Sequence, residues 1–235
     1  MKVFITGGTG LVGSAVVAEL VAAGHTVTAL SRSASSAERA EAAGATPLRG
    51  SVTDLEVLRA GAERAEGVIH LAFGNDFSSR EAIARDVTEE AEALAALAGP
   101  LIGTGRPLVT VAGTPVAPGR ASTEEDPLPT EGPVGGRGES VAGVLALAPR
   151  GVRAAAVRLP RTVHHDGRGG FAGLLTEHAR RTGVAGYPGD GAQRWPRSTR
   201  STPPCCSGSR WRRRRAAVPG TPWPTRASRS APSPR

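Results

Sequence analysis

Glycines at positions 7, 10 and 13 form a pattern that can bind phosphate groups. They follow a short apolar strand, Val3 to Thr6, and precede a run with apolar residues at helical spacing. Gly7 permits a tight turn, Gly10 lets the backbone approach a pyrophosphate, and Gly13 lets the helix pack on the strand. The helix start offers N–H groups and a partial positive charge. We therefore expect a dinucleotide site that also includes Thr9, Leu11 and Val12.

The end of the second β-type run indicates which dinucleotide binds. A site for NAD usually has Asp or Glu there, about 20 residues after the glycines, to bind the ribose 2′-hydroxyl. Here the run ends in Ser31-Arg32-Ser33, without an acid. Arg32 can pair with a 2′-phosphate, assisted by the hydroxyls of Ser31 and Ser33; the alternative is that Arg32 is a solvated loop residue. The sequence favours NADP(H), with NAD as the second choice.

The chain alternates strands and helices in the way that a doubly wound parallel sheet requires. The predicted strands span 3–6, 26–30, 46–48, 67–72, 107–111 and 152–159. The predicted helices span 11–23, 35–43, 54–65, 79–98 and 140–148. The predicted fold class is α/β, a Rossmann-type sheet. We divide the chain into an NAD(P)-binding domain at 1–160, an incomplete substrate-side region at 161–196 and a basic tail at 197–235.

Several segments resemble the short-chain dehydrogenase/reductase superfamily, in its extended and atypical branches, often labelled NAD-dependent epimerase/dehydratase. Thr6-Gly7-Gly8-Thr9-Gly10-Leu11-Val12-Gly13 is similar to its TGxxGxxG turn, and Val68-Ile69-His70-Leu71-Ala72 to its fourth strand. Val157-Arg158-Leu159-Pro160 with Val163-His164 is similar to the segment near the nicotinamide. Gly189-Asp190-Gly191 with Arg194-Trp195-Pro196 resembles the start of the substrate-side region. The resemblance extends the expected cofactor site to Ser51, Val52, Leu71, Ala72 and Phe73.

The residue pair that usually does the chemistry in this superfamily is absent. Most members use Tyr-x-x-x-Lys, in which the tyrosine is the acid/base and the lysine lowers the tyrosine's pKa and holds the ribose. The only tyrosine is Tyr187 and the only lysine is Lys2, and Gly132 to Gly138 occupies the expected place. We expect either an atypical site, with Thr114 catalytic and Arg158 and His164 near the substrate, or a domain that binds a nucleotide without turnover.

The placement of charge and cysteine narrows the class of protein. Ten of the 29 Lys and Arg residues lie in 196–235, which holds none of the 21 acidic residues, so residues 1–195 carry a net charge of −2. Both cysteines, Cys205 and Cys206, lie there too, and the adjacent His164 and His165 do not indicate a metal site. With no leader and no apolar run of about 18 residues, we expect a cytoplasmic protein without a membrane partner. Homo-oligomerisation is left open.

Two interpretations of residues 197–235 compete. As a real tail, Trp211 and the four arginines after it would bind nucleic acid or another anionic surface through salt-dependent electrostatics. Alternatively, the tail is read out of frame. A shift after Pro196 permits Val-His-Pro-Leu-Asp, then Ala-Ala-Val-Leu-Phe-Arg-Leu-Ala-Leu-Glu, which has an Asp N-cap and a helical apolar stripe. We favour the frameshift, which removes most of the region closing the substrate pocket; the tail as it stands is expected to be disordered.

The leading hypothesis is therefore an NADP(H)-binding atypical member of the superfamily, an oxidoreductase or epimerase/dehydratase acting on an unknown small molecule. The alternative is a non-catalytic NAD(P)-binding regulatory or sensor protein. Nucleic-acid binding through the tail is the least favoured.

Overall fold

Strands and helices alternate from residue 2 to residue 159, as the sequence pattern predicts. The computed structural model describes residues 1–115, 117–165, 169–187 and 189–191, and the backbone of 197–199. The strands of this part are β1 (Lys2–Thr6), β2 (Thr26–Ser31), β3 (Thr46–Arg49), β4 (Gly67–His70), β5 (Pro107–Gly113) and β6 (Arg153–Leu159). The helices are α1 (Leu11–Ala22), α2 (Ala34–Ala42), α3 (Leu55–Arg64), α4 (Arg80–Ala98) and α5 (Gly136–Leu145), with 3-10 turns at Gly99–Leu101 and Ala148–Arg150.

The six strands form one parallel sheet in the order β3-β2-β1-β4-β5-β6. The strand order reverses between β1 and β4, which creates a crevice at the carboxyl ends of these two strands. Doubly wound sheets bind their ligands at such a crevice. The register places Thr6 of β1 opposite His70 of β4, and His70 opposite Thr110 of β5. The predicted fold class is confirmed.

Apolar clusters on both faces of the sheet fix the position of these strand ends. One cluster contains Phe4 and Leu108 of the sheet together with Leu58 of α3 and Leu97 of α4. The other contains Ile5 and Ile69 of the sheet with Val17 and Leu20 of α1. Phe4 and Ile5 are neighbours in β1 and belong to opposite clusters, because successive side chains of a strand point to opposite faces. Burial of each such side chain contributes about 1.5–3 kcal/mol.

Helix α5 begins four residues earlier than the sequence predicts, within the glycine-rich run 132–138. A Cβ at Gly135 would lie 2.1 Å from the carbonyl oxygen of Thr130, and one at Gly138 would lie 2.3 Å from that of Pro129. The glycines therefore let the preceding loop cross the start of the helix at backbone contact. They serve close packing.

Beyond the sheet lie β7 (Thr162–His164), α6 (Gly170–Thr182) and β8 (Arg197–Thr199). The sequence predicts no regular structure from residue 197 onwards, but 197–199 pair in parallel with β7, Val163 opposite Ser198. The rest of the tail, and residues 194–196, lie outside the described residues. Helix α6 was not predicted, and it contains no buried residue: Leu174 is 55% and Leu175 47% exposed. These two leucines therefore face solvent.

Candidate functional site

The glycine turn is pressed between the end of β4 and the start of α1. Gly7 has a φ of +70°, and a Cβ there would lie 2.7 Å from the backbone nitrogen of Ala72. A Cβ at Gly13 would lie 2.0 Å from the Gly7 carbonyl oxygen. The same oxygen accepts a hydrogen bond of 3.0 Å from the N–H of Gly10. Gly7 and Gly13 are thus required by contact, and Gly10 closes the turn.

The turn leads directly into α1 and leaves the amino end of this helix accessible to a ligand. The helix starts after Gly10, which is exposed and supplies no side-chain cap, and its first turn holds no acidic residue. The N–H groups of the first turn have no intrahelical acceptor, and the helix dipole adds positive potential there. Thr9, Leu11 and Val12 are half-buried around this end. The arrangement can bind a pyrophosphate through main-chain donors.

Ser31, Arg32 and Ser33 lie where the sequence places them, at the end of β2, but the two hydroxyls are already engaged. Ser31 is buried and its hydroxyl donates to the Ala29 carbonyl at 3.2 Å. The Ser33 hydroxyl caps α2 by accepting from the Ser36 N–H at 3.1 Å. Arg32 is exposed. We expected both serines to assist Arg32, but their hydroxyls already make local hydrogen bonds that compete with a ligand. Arg32 is the side chain of this segment that remains available to a ligand.

A second arginine, which sequence reasoning missed, lies beside Arg32. Arg49 ends β3 and is opposite Ser31 in the sheet register. Its Nη2 donates to the Arg32 carbonyl at 3.5 Å. Neighbouring parallel strands end at the same edge, so residues 18 positions apart in the chain meet there. The corner therefore carries two guanidinium groups that can bind a phosphate.

Ser51 and Val52 follow β3 and are both half-buried. The Ser51 N–H donates to the Asp54 carboxylate at 2.6 Å, and the Ser51 hydroxyl contacts the Thr53 hydroxyl at 2.6 Å. Val52 packs against the cluster that contains Phe4. The loop is thus ordered by its own hydrogen bonds.

Leu71, Ala72 and Phe73 form a strip that begins directly against the glycine turn. The N–H of Leu71 donates to the Thr6 carbonyl at 3.2 Å, and the N–H of Ala72 reaches the Thr6 hydroxyl at 3.4 Å. These bonds carry the chain past the end of β4 and over Gly7. The structure therefore brings together the two segments that the sequence assigns to the cofactor, the glycine turn and residues 71–73.

His70 is buried beneath this strip. Its Nδ1 lies 2.8 Å from the Thr6 hydroxyl, while its Nε2 and the hydroxyl of Thr110 have no hydrogen-bond partner within the described residues. Burial, and to a smaller extent the charge of Arg137, lowers the pKa of His70 from 6.5 to about 4. The imidazole is therefore neutral at pH 7. Within the described residues, only one of its two ring nitrogens therefore has a hydrogen-bond partner.

Of the three residues expected on the substrate side, Thr114 follows β5, Arg158 lies in β6 and His164 lies in β7. No hydrogen bond among the described residues joins them. The N–H of Thr114, which follows β5, donates to the Leu159 carbonyl at 3.2 Å. Arg158 of β6 donates from Nη1 to the Thr123 carbonyl at 2.8 Å, which ties down the loop after β5. His164 is half-buried in β7, and its Nδ1 has no partner in the described part of the chain.

An ion pair between Arg137 of α5 and Glu90 of α4 was also missed. Nε and Nη2 of Arg137 each donate to one carboxylate oxygen of Glu90, both at 2.7 Å. The Glu90 side chain is 1% exposed. Burial raises the pKa of the Glu90 carboxyl, and the hydrogen bonds and charge of Arg137 oppose that rise. The guanidinium also stacks 4.0 Å above the Phe73 ring, so it lies against the strip at the end of β4.

A second buried acid of α4 holds the chain after Phe73. Asp86 is 4% exposed and accepts the Asp76 N–H at 2.8 Å. A Cβ at Gly74 would lie 2.1 Å from the Asp86 carboxyl carbon. The segment that leaves Phe73 therefore runs directly over Asp86, which fixes the far end of the strip.

In the described ranges, no three His, Cys, Asp or Glu side chains come together in a way that could hold a metal ion. Among the helices described, none is both long enough and apolar enough to cross a bilayer.

Comparison with known proteins adds one family and several structures. Residues 3–132 match the model described as the NAD dependent epimerase/dehydratase family. An uncharacterized protein of Schizosaccharomyces pombe is 40% identical over 199 residues, which cover 83% of this chain and 65% of that relative. The chain thus spans about two thirds of the length of this curated relative.

Two solved structures share the fold. UDP-glucose 4-epimerase of Thermotoga maritima, solved with UDP-glucose, has a TM-score of 0.64 at 22% identity and covers 85% of this chain and 70% of its own. A double mutant of dTDP-glucose 4,6-dehydratase from Streptomyces venezuelae, solved with NAD and DAU, has a TM-score of 0.69 at 17% identity, with coverage of 85% and 68%. At such identities the likeness concerns the fold.

Proposed function

The chain belongs to the NAD-dependent epimerase/dehydratase family, and from that membership we propose that it binds NADP(H) and acts as an atypical oxidoreductase or epimerase/dehydratase on a small molecule. The observation that carries this proposal is the contact between Gly7 and Ala72. This contact joins the phosphate-binding turn, the amino end of α1 and the strip 71–73 into one continuous surface. The surface lies at the switch point of the sheet, where the strand order reverses between β1 and β4. Each part suits a different section of a dinucleotide.

The preference for NADP(H) is supported by the corner formed by Arg32 and Arg49. The segments 31–33 and 49–51 contain no Asp or Glu that could bind a free 2′-hydroxyl. Two guanidinium groups at the ends of adjacent strands can instead pair with a 2′-phosphate, and each adds charge-assisted hydrogen bonds. We propose this corner as the origin of selectivity, with NAD as the weaker ligand.

The chemistry that a bound nicotinamide supplies is hydride transfer. The residues that this chain can place around the nicotinamide are unusual, because the Tyr-x-x-x-Lys pair is absent from its sequence. We keep Thr114 as the candidate hydrogen-bonding group at the reacting oxygen, and Arg158 and His164 as candidate substrate contacts. His70 is a poor general acid at neutral pH, since its pKa is held at about 4.

A second candidate function is nucleotide binding without turnover. It is favoured by the exposure of α6, whose Leu174 and Leu175 have no covering element in the described part of the chain. We further propose that residues 197–235 are read out of frame, so that the region closing the substrate side is missing from this chain. The cofactor half would then remain functional while catalysis is weak or absent.

Titration of the purified chain with NADPH and NADH, followed by quenching of protein fluorescence and by calorimetry, tests the proposal. We expect both to bind, with NADPH the tighter ligand. A turnover assay with NADPH on a panel of carbonyl compounds and nucleotide sugars then separates enzyme from sensor. Absence of binding by either nucleotide at millimolar concentration would refute the proposed function.

A further inference from the structure

Close packing at the start of α5 leaves room for only one long side chain that reaches the proposed cofactor site. A Cβ at Gly135 or Gly138 would collide with the backbone carbonyls of the crossing loop, at 2.1 Å and 2.3 Å. A Cβ at Gly136 would lie 2.7 Å from a methyl group of Val87. A tyrosine or lysine at these positions could not be accommodated without moving the loop or the Val87 side chain. Arg137 is the residue of this run whose side chain reaches the strip after β4.

The guanidinium of Arg137 is fixed but not fully used. Two of its three nitrogens are held by Glu90, and the planar group rests on the ring of Phe73. Its Nη1 makes no hydrogen bond with the described residues, and the side chain is 27% exposed. A guanidinium held in a bidentate pair keeps its plane and its free donor in one orientation. Arg137 can therefore donate to a ligand without rearranging.

The location of this free donor is set by contacts that lead back to the glycine turn. Gly7 touches Ala72, and Arg137 stacks on Phe73, the next residue of the strip. The charge of Arg137 also reaches His70 at the end of β4, where it helps to lower the histidine's pKa. Arg32 and Arg49 lie on the other side of β1, at the ends of β2 and β3. The two basic groups thus flank the glycine turn from opposite directions.

From this placement we propose that Arg137 binds the ribose or carboxamide oxygens of the nicotinamide half of NADP(H), with Glu90 as the residue that positions it. The assignment rests on the proposed function. It gives Arg137 the ribose-holding part that a lysine has elsewhere in the superfamily, with a buried carboxylate that keeps the guanidinium in place. Because the ion pair has no net charge, it also limits the desolvation free energy of burying Glu90.

The test compares two ligands that differ in the nicotinamide half. NADPH carries both halves, whereas 2′,5′-ADP carries the adenosine half with its 2′-phosphate. We measure both dissociation constants by calorimetry for the full chain, Arg137→Gln and Arg32→Ser. Arg137→Gln is expected to weaken NADPH about tenfold, the effect of a lost charge-assisted hydrogen bond, and to change 2′,5′-ADP by less than twofold. Arg32→Ser is the matched control, and it should weaken both ligands alike.

A purely structural role of Arg137 predicts something else. Equal weakening of both ligands by Arg137→Gln, or no weakening of either, overturns the assignment while leaving the proposed function intact. Failure of the unaltered chain to bind either ligand overturns the proposed function and the assignment with it. Because Arg137→Gln leaves Glu90 buried without its partner, Glu90→Gln/Arg137→Gln is measured as well. This amide pair removes both charges together and should show the same selective loss of NADPH.

Discussion

The backbone nitrogen of Ala72 lies 2.7 Å from the point where a Cβ on Gly7 would stand, so the end of β4 and the turn after β1 share space that only glycine leaves open. This contact joins the phosphate-binding turn to the strip that continues to Phe73. The crevice at the switch point is thus built on a single close approach between two strands that are adjacent in the sheet and 65 residues apart in the chain.

We expect Gly7→Ala to destabilise the protein by at least about 2 kcal/mol, since it combines a positive φ with a backbone collision, and to abolish NADPH binding. Gly24→Ala is the matched control. Gly24 has a φ of +78° but nothing within 4 Å of its Cβ position. It should cost about 1 kcal/mol through strain alone and leave binding unchanged. Urea unfolding and NADPH titration measure both effects, and similar losses in the two variants would contradict the close-approach argument.

The glycine turn could be predicted from the sequence because its requirements are local. Each of its glycines lies within one strand–turn–helix segment, and strand, turn and helix each leave a periodic or compositional mark. The serines beside Arg32 show where the same reasoning weakens. Their hydroxyls bond to Ala29 and Ser36, and a residue pattern does not tell whether a hydroxyl serves a ligand or its own backbone.

Arg137 and Glu90 were missed because their contact spans 47 residues and two helices. A signal was nevertheless present in α4. Asp86, Glu90, Leu94 and Leu97 lie on one buried side at spacings of three and four. Acids within an apolar stripe require partners when they are buried. The glycine-rich run that starts α5 concealed the partner, since glycine suggests a loop when its neighbours in space are unknown.

Arg32→Ser is expected to reduce NADPH affinity about tenfold and to leave NADH affinity within about twofold, because only NADPH carries the 2′-phosphate. Arg49→Ser should act in the same direction and more weakly, since Arg49 reaches the corner through the Arg32 carbonyl. Arg39→Ser, at an exposed position in the last turn of α2, is the control and should change neither affinity. Equal loss of NADPH and NADH in Arg32→Ser would argue against a 2′-phosphate site.

His70 predicts a specific pH dependence of stability. Its pKa is about 4 in the folded chain, against 6.5 ordinarily. Below pH 6.5 the unfolded state therefore binds a proton that the folded state refuses. The stability associated with neutral His70 is complete above pH 6.5 and is lost as the pH falls to 4, by about 3 kcal/mol in all.

Urea unfolding between pH 7.5 and 4 measures this loss, and His70→Asn should flatten the difference between the two ends of the range. His178→Asn is the control, because His178 is exposed on α6. If the unaltered chain and His70→Asn lose stability in parallel over this range, the acid sensitivity originates elsewhere, and His70 does not remain neutral in the folded chain.

The last prediction concerns the tail and the exposed face of α6. Sequencing the DNA around codon 196 is expected to reveal one base gained or lost, so that the true frame continues with Val-His-Pro-Leu-Asp and an amphipathic helix. A chain expressed from the restored frame should bury Leu174 and Leu175, which are now 55% and 47% exposed. It should bind less of a dye that reports apolar surface, and it should turn over NADPH faster than this chain on the same substrate panel.

The opposite outcome is a continuous reading frame, with mass spectrometry detecting the natural protein that carries Trp211 and the four arginines after it. That result would show that the basic tail is genuine.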